Sequence, residues 1–94
     1  MSGRYAPRGP VLLFREARDA CAGMIRLREL RNLTRPELAG LLGEQGPWVQ
    51  ARERLSTRMT RAEAERVAAA LGTDFPGLLA AGATQLNDES RAGN

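Results

Sequence analysis

The chain has 94 residues, which is enough for one small domain with tails. Its 14 basic residues are all arginine and outnumber its 11 acidic residues, so the net charge is +3. It contains one cysteine and no histidine, which excludes an internal disulfide, a zinc site and the catalytic arrangements that need histidine.

The sequence also lacks the motifs of several other classes of protein. No glycine-rich phosphate loop occurs, and we expect a protein that is not an enzyme and takes no cofactor, metal or small-molecule substrate. No apolar run approaches the roughly 20 residues that span a bilayer, and the N-terminus lacks the apolar part of a signal peptide. We therefore expect a cytoplasmic, nucleoid-associated protein without membrane contact.

The arginine content has two interpretations. Arginine makes bidentate contacts with phosphate and guanine, which favours a nucleic-acid partner. An all-arginine, alanine-rich chain is also what a GC-rich genome produces. The charge therefore supports nucleic-acid binding without proving it.

Residues 1–10 contain two glycines, two prolines and two arginines and are expected to form a flexible arm. Such an arm is either simply disordered or reaches along DNA. Apolar residues at helical spacing follow from Val11 to Asn32. Gly23 predicts a break in this run, between a leading helix at 11–22 and a second helix starting at Met24.

The apolar stripe of this first region consists of Leu13, Ala17, Ala20, Met24 and Leu27, with Phe14, Cys21 and Ile25 beside it. It is wider than one small core needs, so it is expected to contact either a partner chain or the C-terminal segment. Phe14 and Cys21 are the candidate dimer or partner contacts, although a cysteine among alanines is more often a buried small residue. The exposed side is expected to carry Arg26, Arg28 and Arg31.

The central stretch predicts two short helices joined by a tight turn. Thr34 and Glu37 form a capping box, and Pro36 suits the first helical turn. Gly43 suits the left-handed residue that ends this helix, whose buried face would be formed by Leu38, Leu41 and Leu42.

The second helix of the pair is predicted over residues 47–55, beginning at Gly46-Pro47. Its outward face would carry Pro47, Gln50 and Arg54. A helix, a turn and a helix with a polar, basic outer face is how many proteins present a helix to the DNA major groove.

Two more helices are predicted towards the C-terminus. Thr60 and Glu63 form a second capping box, and the helix they begin ends at Gly72. Asp74 is expected to cap a last short helix that ends at Gly82. The domain would therefore span residues 11–82, and residues 83–94 are expected to be a disordered tail.

The stretch from residue 24 to residue 79 resembles the helix-turn-helix domain of the lambda-repressor/Cro-like family, also called the xenobiotic response element (XRE) family. The matching segments, in chain order, are MIRLRELRNLT, RPELAGLLG, PWVQARE and MTRAEAERVAAALGTDFPGLL. Each is weak alone, but their order and spacing together are fairly specific. The third segment is similar to variants found in actinobacteria and their phages.

This resemblance implies an all-α bundle of about five helices around a central helix-turn-helix. It also implies a transcriptional regulator, most simply a repressor, that binds a double-stranded DNA operator as a homodimer. The chain departs from the family pattern at Arg52, where an aliphatic residue is usual, and at Leu55, where a glycine is common. Arg52 is expected to extend outward or to pair with a carboxylate such as Glu53 or Glu44, because an unpaired buried arginine is costly.

The candidate DNA contacts lie in and beside the two central helices. The predicted base contacts are Gln45, Gly46, Pro47, Gln50, Ala51 and Arg54. The predicted phosphate contacts are Arg35, Trp48, Arg58 and Arg61. Trp48 has two interpretations, either as an indole packed between the two helices or as an N–H donor to a phosphate.

A second function belongs to another class: a protein-binding antitoxin or adaptor of the same fold. It is motivated by the wide apolar face of the first region and by the two uncommitted tails. The two roles are compatible, because antitoxins of this fold often bind operators as well.

Overall fold

The computed structural model describes the backbone of residues 11–92 and the side chains of residues 11–84. Its regular secondary structure is entirely helical in this range. The five helices are α1 (Phe14–Leu30), α2 (Arg35–Leu41), α3 (Gly46–Glu53), α4 (Arg61–Ala70) and α5 (Phe75–Ala92). The predicted all-α bundle of about five helices is confirmed.

Both predicted capping boxes are present. The Thr34 hydroxyl accepts the Glu37 backbone N–H at 3.2 Å, and the Glu37 carboxylate accepts the Thr34 N–H at 2.8 Å. Thr60 and Glu63 exchange the same two bonds at 3.1 and 3.0 Å. These bonds satisfy amide donors that have no partner within a helix, and so fix where α2 and α4 begin.

Among the described residues, four lie in the left-handed region, and each of them ends a helix. Asn32, Gly43 and Gly72 have φ angles of 56°, 71° and 80°, as their positions in the sequence predict. Leu55 has φ of 59° at the end of α3. A leucine pays a steric cost there that glycine would not, but its side chain packs against the core.

The segment before α1 crosses the bundle and is held by backbone hydrogen bonds. Val11 forms an isolated bridge with Thr60, and the Leu12 N–H donates to the Met59 carbonyl at 2.9 Å. Leu12 is therefore buried, whereas Leu13 is exposed and stands just before α1. The predicted stripe was wrong in starting at Leu13. Leu41, predicted to be buried, is exposed as well.

Gly23 does not interrupt α1, which runs as one helix through the predicted break. Gly23 instead serves the packing of α1 against α5. A Cβ at Gly23 would collide with the Leu78 carbonyl of α5, and a Cβ at Gly82 would collide with the Asp19 carbonyl of α1. The two glycines let the backbones of α1 and α5 approach closely where they cross.

The same crossing corrects the expected end of the domain. Gly82 lies inside α5, which continues to Ala92. Residues 83–92 are thus helical and not a disordered tail, while residues 1–10 and 93–94 lie outside the described range. Packing of α5 against α1 also accounts for much of the apolar width of α1.

Substitution of either crossing glycine should destabilise the fold. Gly23→Ala and Gly82→Ala are each expected to lower the free energy of unfolding by about 1–3 kcal/mol or more, because the added methyl group has no room. Gly40→Ala is the control, since a Cβ there meets nothing within 4 Å. It should raise stability by up to about 1 kcal/mol. Denaturant unfolding followed by circular dichroism measures all three, and equal effects at the three positions would contradict the close crossing.

Candidate nucleic-acid interface

Helices α2 and α3 form a helix-turn-helix whose inner faces are buried. Leu38 and Ala39 of α2 pack in the core with Val49 of α3. In the turn, the Glu44 N–H donates to the Ala39 carbonyl at 2.8 Å. Arg66 of α4 donates to the Leu42 carbonyl and lies 3.5 Å from the Glu44 carboxylate, so α4 holds the end of α2 in place.

The outer side of α3 presents most of the predicted base contacts. Gln45 is the residue before the helix, and it is exposed together with Pro47, Gln50 and Arg54. Gly46 and Ala51 are half-buried. Among the described residues, neither Gln50 nor Arg54 uses its side chain in a hydrogen bond or ion pair. Both polar groups are therefore available to a ligand.

A cleft of about 460 Å³ separates the start of α2 from the start of α3. Its lining combines one predicted phosphate contact, Arg35, with three predicted base contacts, Gly46, Pro47 and Gln50. Arg28, Thr34 and Pro36 complete the lining. The structure thus brings Arg35 and Gln50, which are 15 residues apart, to one concave surface.

Two residues of the cleft lining, Arg28 and Arg35, both pair with Glu53, and the sequence did not predict this ion-pair network. The Glu53 side chain is 4% exposed, and its carboxylate accepts Arg28 Nε at 2.8 Å and Arg35 Nε at 2.7 Å. Arg28 Nη1 also donates to the Leu33 carbonyl at 2.8 Å. The expectation that Arg28 is exposed was wrong. The sequence feature that could have predicted its burial is its spacing, because Arg28 lies four residues after the buried Met24 and so on the same face of α1.

Arg52 is buried, and its partner differs from the predicted ones. Its Nη2 lies 3.1 Å from the carboxylate of Glu63, not of Glu53 or Glu44. Its guanidinium stacks on the Trp48 ring at 4.1 Å from the ring centroid. Trp48 is half-buried and packs against the core, and the phosphate contact predicted for its indole N–H stays a prediction. Arg52 Nε is buried without a hydrogen-bond partner.

Two further predicted phosphate contacts flank the start of α4. Arg58 is exposed, donates to the Leu12 carbonyl at 3.4 Å and lies 5.7 Å from the ring centroid of Phe14. Arg61 pairs with Glu65 at 3.1 Å and stacks on Phe75, with about half of its side chain exposed. Both arginines are oriented by neighbours while remaining accessible.

The two candidate partner contacts have different environments. Phe14 is 56% exposed at the start of α1. Cys21 is buried, and its thiol donates to the Glu53 carbonyl at 3.0 Å. Cys21 is therefore not at the surface of this chain, which corrects its assignment as a dimer or partner contact. Burial, and then the charge of Glu53, raises the pKa of the Cys21 thiol to about 11.

Comparison of the chain with models of protein families, with curated proteins and with solved structures gives no match. The described helices include none with the length and apolar character needed to cross a membrane. Within the same residues, no cluster of three or more histidine, cysteine or acidic side chains is arranged to hold a metal ion.

Replacing Arg52 should not destabilise the protein. Arg52→Met removes a buried N–H without a partner and leaves Glu63 bonded to the Thr60 N–H, so the free energy of unfolding should stay unchanged or rise. Arg28→Met, a matched substitution, should lower it by about 3 kcal/mol because Glu53 stays buried and loses a partner. Thermal unfolding tests both, and a large loss for Arg52→Met would mean that its pair with Glu63 is essential.

Cys21 should be unreactive in the folded protein. A pKa near 11 in place of 9.0 lowers its thiolate fraction at pH 8 by about a hundredfold, and burial slows attack further. Because the folded pKa is the higher one, the stability gained from the neutral thiol is present below pH 9.0 and is lost as the pH rises through about 11. Labelling with a thiol reagent, with and without denaturant, checks this. Rapid labelling of the folded protein would show an accessible thiol.

Proposed function

We propose that this chain is a sequence-specific, double-stranded DNA-binding regulator of the lambda-repressor/Cro-like type that acts as a repressor. The observation that carries the proposal is the outer side of α3, where Gln50 and Arg54 are exposed and make no side-chain bonds to the described residues. Helix α3 would enter the major groove, where glutamine can pair with adenine and arginine with guanine.

The distribution of acidic groups around α3 supports an anionic partner. The acidic residue in α3, Glu53, is almost completely buried between two arginines. Glu44, which precedes the helix, pairs with Arg66. The first turn of α3 carries no acid. The surface that would approach DNA therefore presents little negative charge to the phosphates.

Phosphate contacts would fix the protein on the duplex. Arg35 lies at the start of α2, and Arg58 and Arg61 lie beside the start of α4. Along the chain, Arg35 therefore precedes α3, and Arg58 and Arg61 follow it. Gly46 and Pro47 carry no polar side chain, so they would allow close approach to the groove, with Pro47 against a thymine methyl group. Two copies would read an operator with two half-sites.

The second candidate function, a protein-binding antitoxin or adaptor, is favoured by an apolar group at the start of the described chain. Val11, Leu13 and Phe14 are all substantially exposed. They could contact a second copy or another protein. Co-purification of a partner together with a lack of DNA affinity would favour this function over the first.

DNA selected from a random library, followed by fluorescence titration, tests the proposal. Gln50→Ala and Arg54→Ala should each weaken binding to the selected site by about 1–3 kcal/mol and relax the base preference at one position. Wild-type affinity should fall steeply with salt concentration. Arg18→Ala, an exposed arginine on α1, is the matched control and should change affinity little. Unchanged affinity in the Gln50→Ala, Arg54→Ala double variant would disprove this placement of α3.

A further inference from the structure

Glu53 occupies an unusual place for an acidic residue in a helix that would face DNA. Its side chain is 4% exposed, and its two oxygens contact arginines of two other helices: Oε2 accepts Arg28 Nε of α1, and Oε1 accepts Arg35 Nε of α2. One carboxylate thus joins α1, α2 and α3. The two arginines differ in the surroundings of their other guanidinium nitrogens, Nη1 and Nη2.

Arg28 is buried and its remaining contacts are internal. Its Nη1 donates to the Leu33 carbonyl, and its Nη2 lies 4.0 Å from Glu29. Both arginines line the cleft between α2 and α3, but Arg35 has 51% of its side chain exposed, against 10% for Arg28. Glu53 holds Arg35 through Nε, and this bond leaves the two Nη groups, at the end of the half-exposed side chain, unused.

We propose that Glu53 is a positioning residue for phosphate recognition, holding the Arg35 guanidinium by Nε so that its Nη groups meet a DNA phosphate at the cleft. This role rests on the proposed function. An exposed arginine must give up rotamer freedom when it binds a phosphate, and an arginine already held by a buried carboxylate has given up part of that freedom. Arginine, unlike lysine, can bond to both groups at once because its planar fork carries five N–H donors.

Positioning by Glu53 and charge alone predict opposite effects on DNA affinity when the Glu53 carboxylate is removed. A carboxylate near DNA repels phosphates, so its removal should strengthen binding by simple Coulomb attraction. If Glu53 positions Arg35, its removal should weaken binding instead. Glu37 offers a matched comparison, because it is exposed, follows Arg35 by two residues, and keeps its capping bond as glutamine.

The experiment measures binding to a fluorescent duplex of mixed sequence, about two helical turns long, since phosphate contacts do not depend on sequence. We expect Glu53→Gln to weaken binding about fivefold and Glu37→Gln to leave it unchanged or strengthen it. In an Arg35→Ala background, Glu53→Gln should change affinity less than about twofold, because the group it positions is gone. Circular dichroism and thermal unfolding establish that each variant is folded.

Arg35→Lys provides a second measurement that leaves Glu53 in place, in case Glu53→Gln does not fold. Lysine keeps the charge but cannot hold Glu53 and a phosphate in the same way, so binding should weaken nearly as much as for Arg35→Ala. Wild-type affinity in Arg35→Lys would overturn the proposal. So would stronger binding by Glu53→Gln, or an equal loss for Glu53→Gln with and without Arg35, which would indicate a structural effect through Arg28.

The wild-type titration separates this proposal from the function on which it rests. If the wild-type chain shows no salt-dependent binding to any duplex, the DNA-binding function fails, and the role of Glu53 fails with it. If the wild-type chain binds and the Glu53 variants give one of the contrary results, DNA binding stands and the positioning role alone is wrong.

Discussion

The arrangement of the helix-turn-helix depends on one buried carboxylate. Glu53 is the last residue of α3, and its bonds to Arg28 and Arg35 tie that helix to both of the helices that precede it. Removing one partner of a buried pair costs about 3–5 kcal/mol, a large part of the stability of a small domain. The tilt of α3, and hence the surface it presents, is therefore coupled to the position of α1. The thiol of Cys21, which donates to the Glu53 carbonyl, adds a further contact between the same helices.

Two other arginines connect the helix-turn-helix to α4. Arg66 of α4 contacts the end of α2, and Arg52 of α3 contacts Glu63 at the start of α4. Glu63 also completes the capping box of α4, so one side chain both caps that helix and pairs with Arg52 of α3. In a chain whose basic residues are all arginine, several are structural, and the number available to a nucleic acid is smaller than the composition suggests.

The rest of the bundle supports this unit through the crossing of α1 and α5. The two helices approach so closely that only glycine fits at positions 23 and 82. Close packing of this kind fixes α1 along its length, and α1 carries Arg28 to Glu53. A substitution at the crossing, far from α3 in sequence, is thus expected to act on the candidate DNA-binding surface through α1.

The sequence alone determined the features that arise from local physics. The capping boxes at Thr34 and Thr60 and the left-handed glycine at Gly43 need only neighbouring residues, so they could be predicted, together with the all-α class and the exposed face of α3. The tertiary structure decided which long side chains are buried and what Gly23 and Gly82 do. Gly82 lies within a helix, and Arg28 meets its partner Glu53, because of contacts with distant parts of the chain. The spacing of Arg28 from Met24 indicates the face of α1 on which Arg28 lies, but a pairing with a residue 25 positions away leaves no short-range pattern in a single sequence.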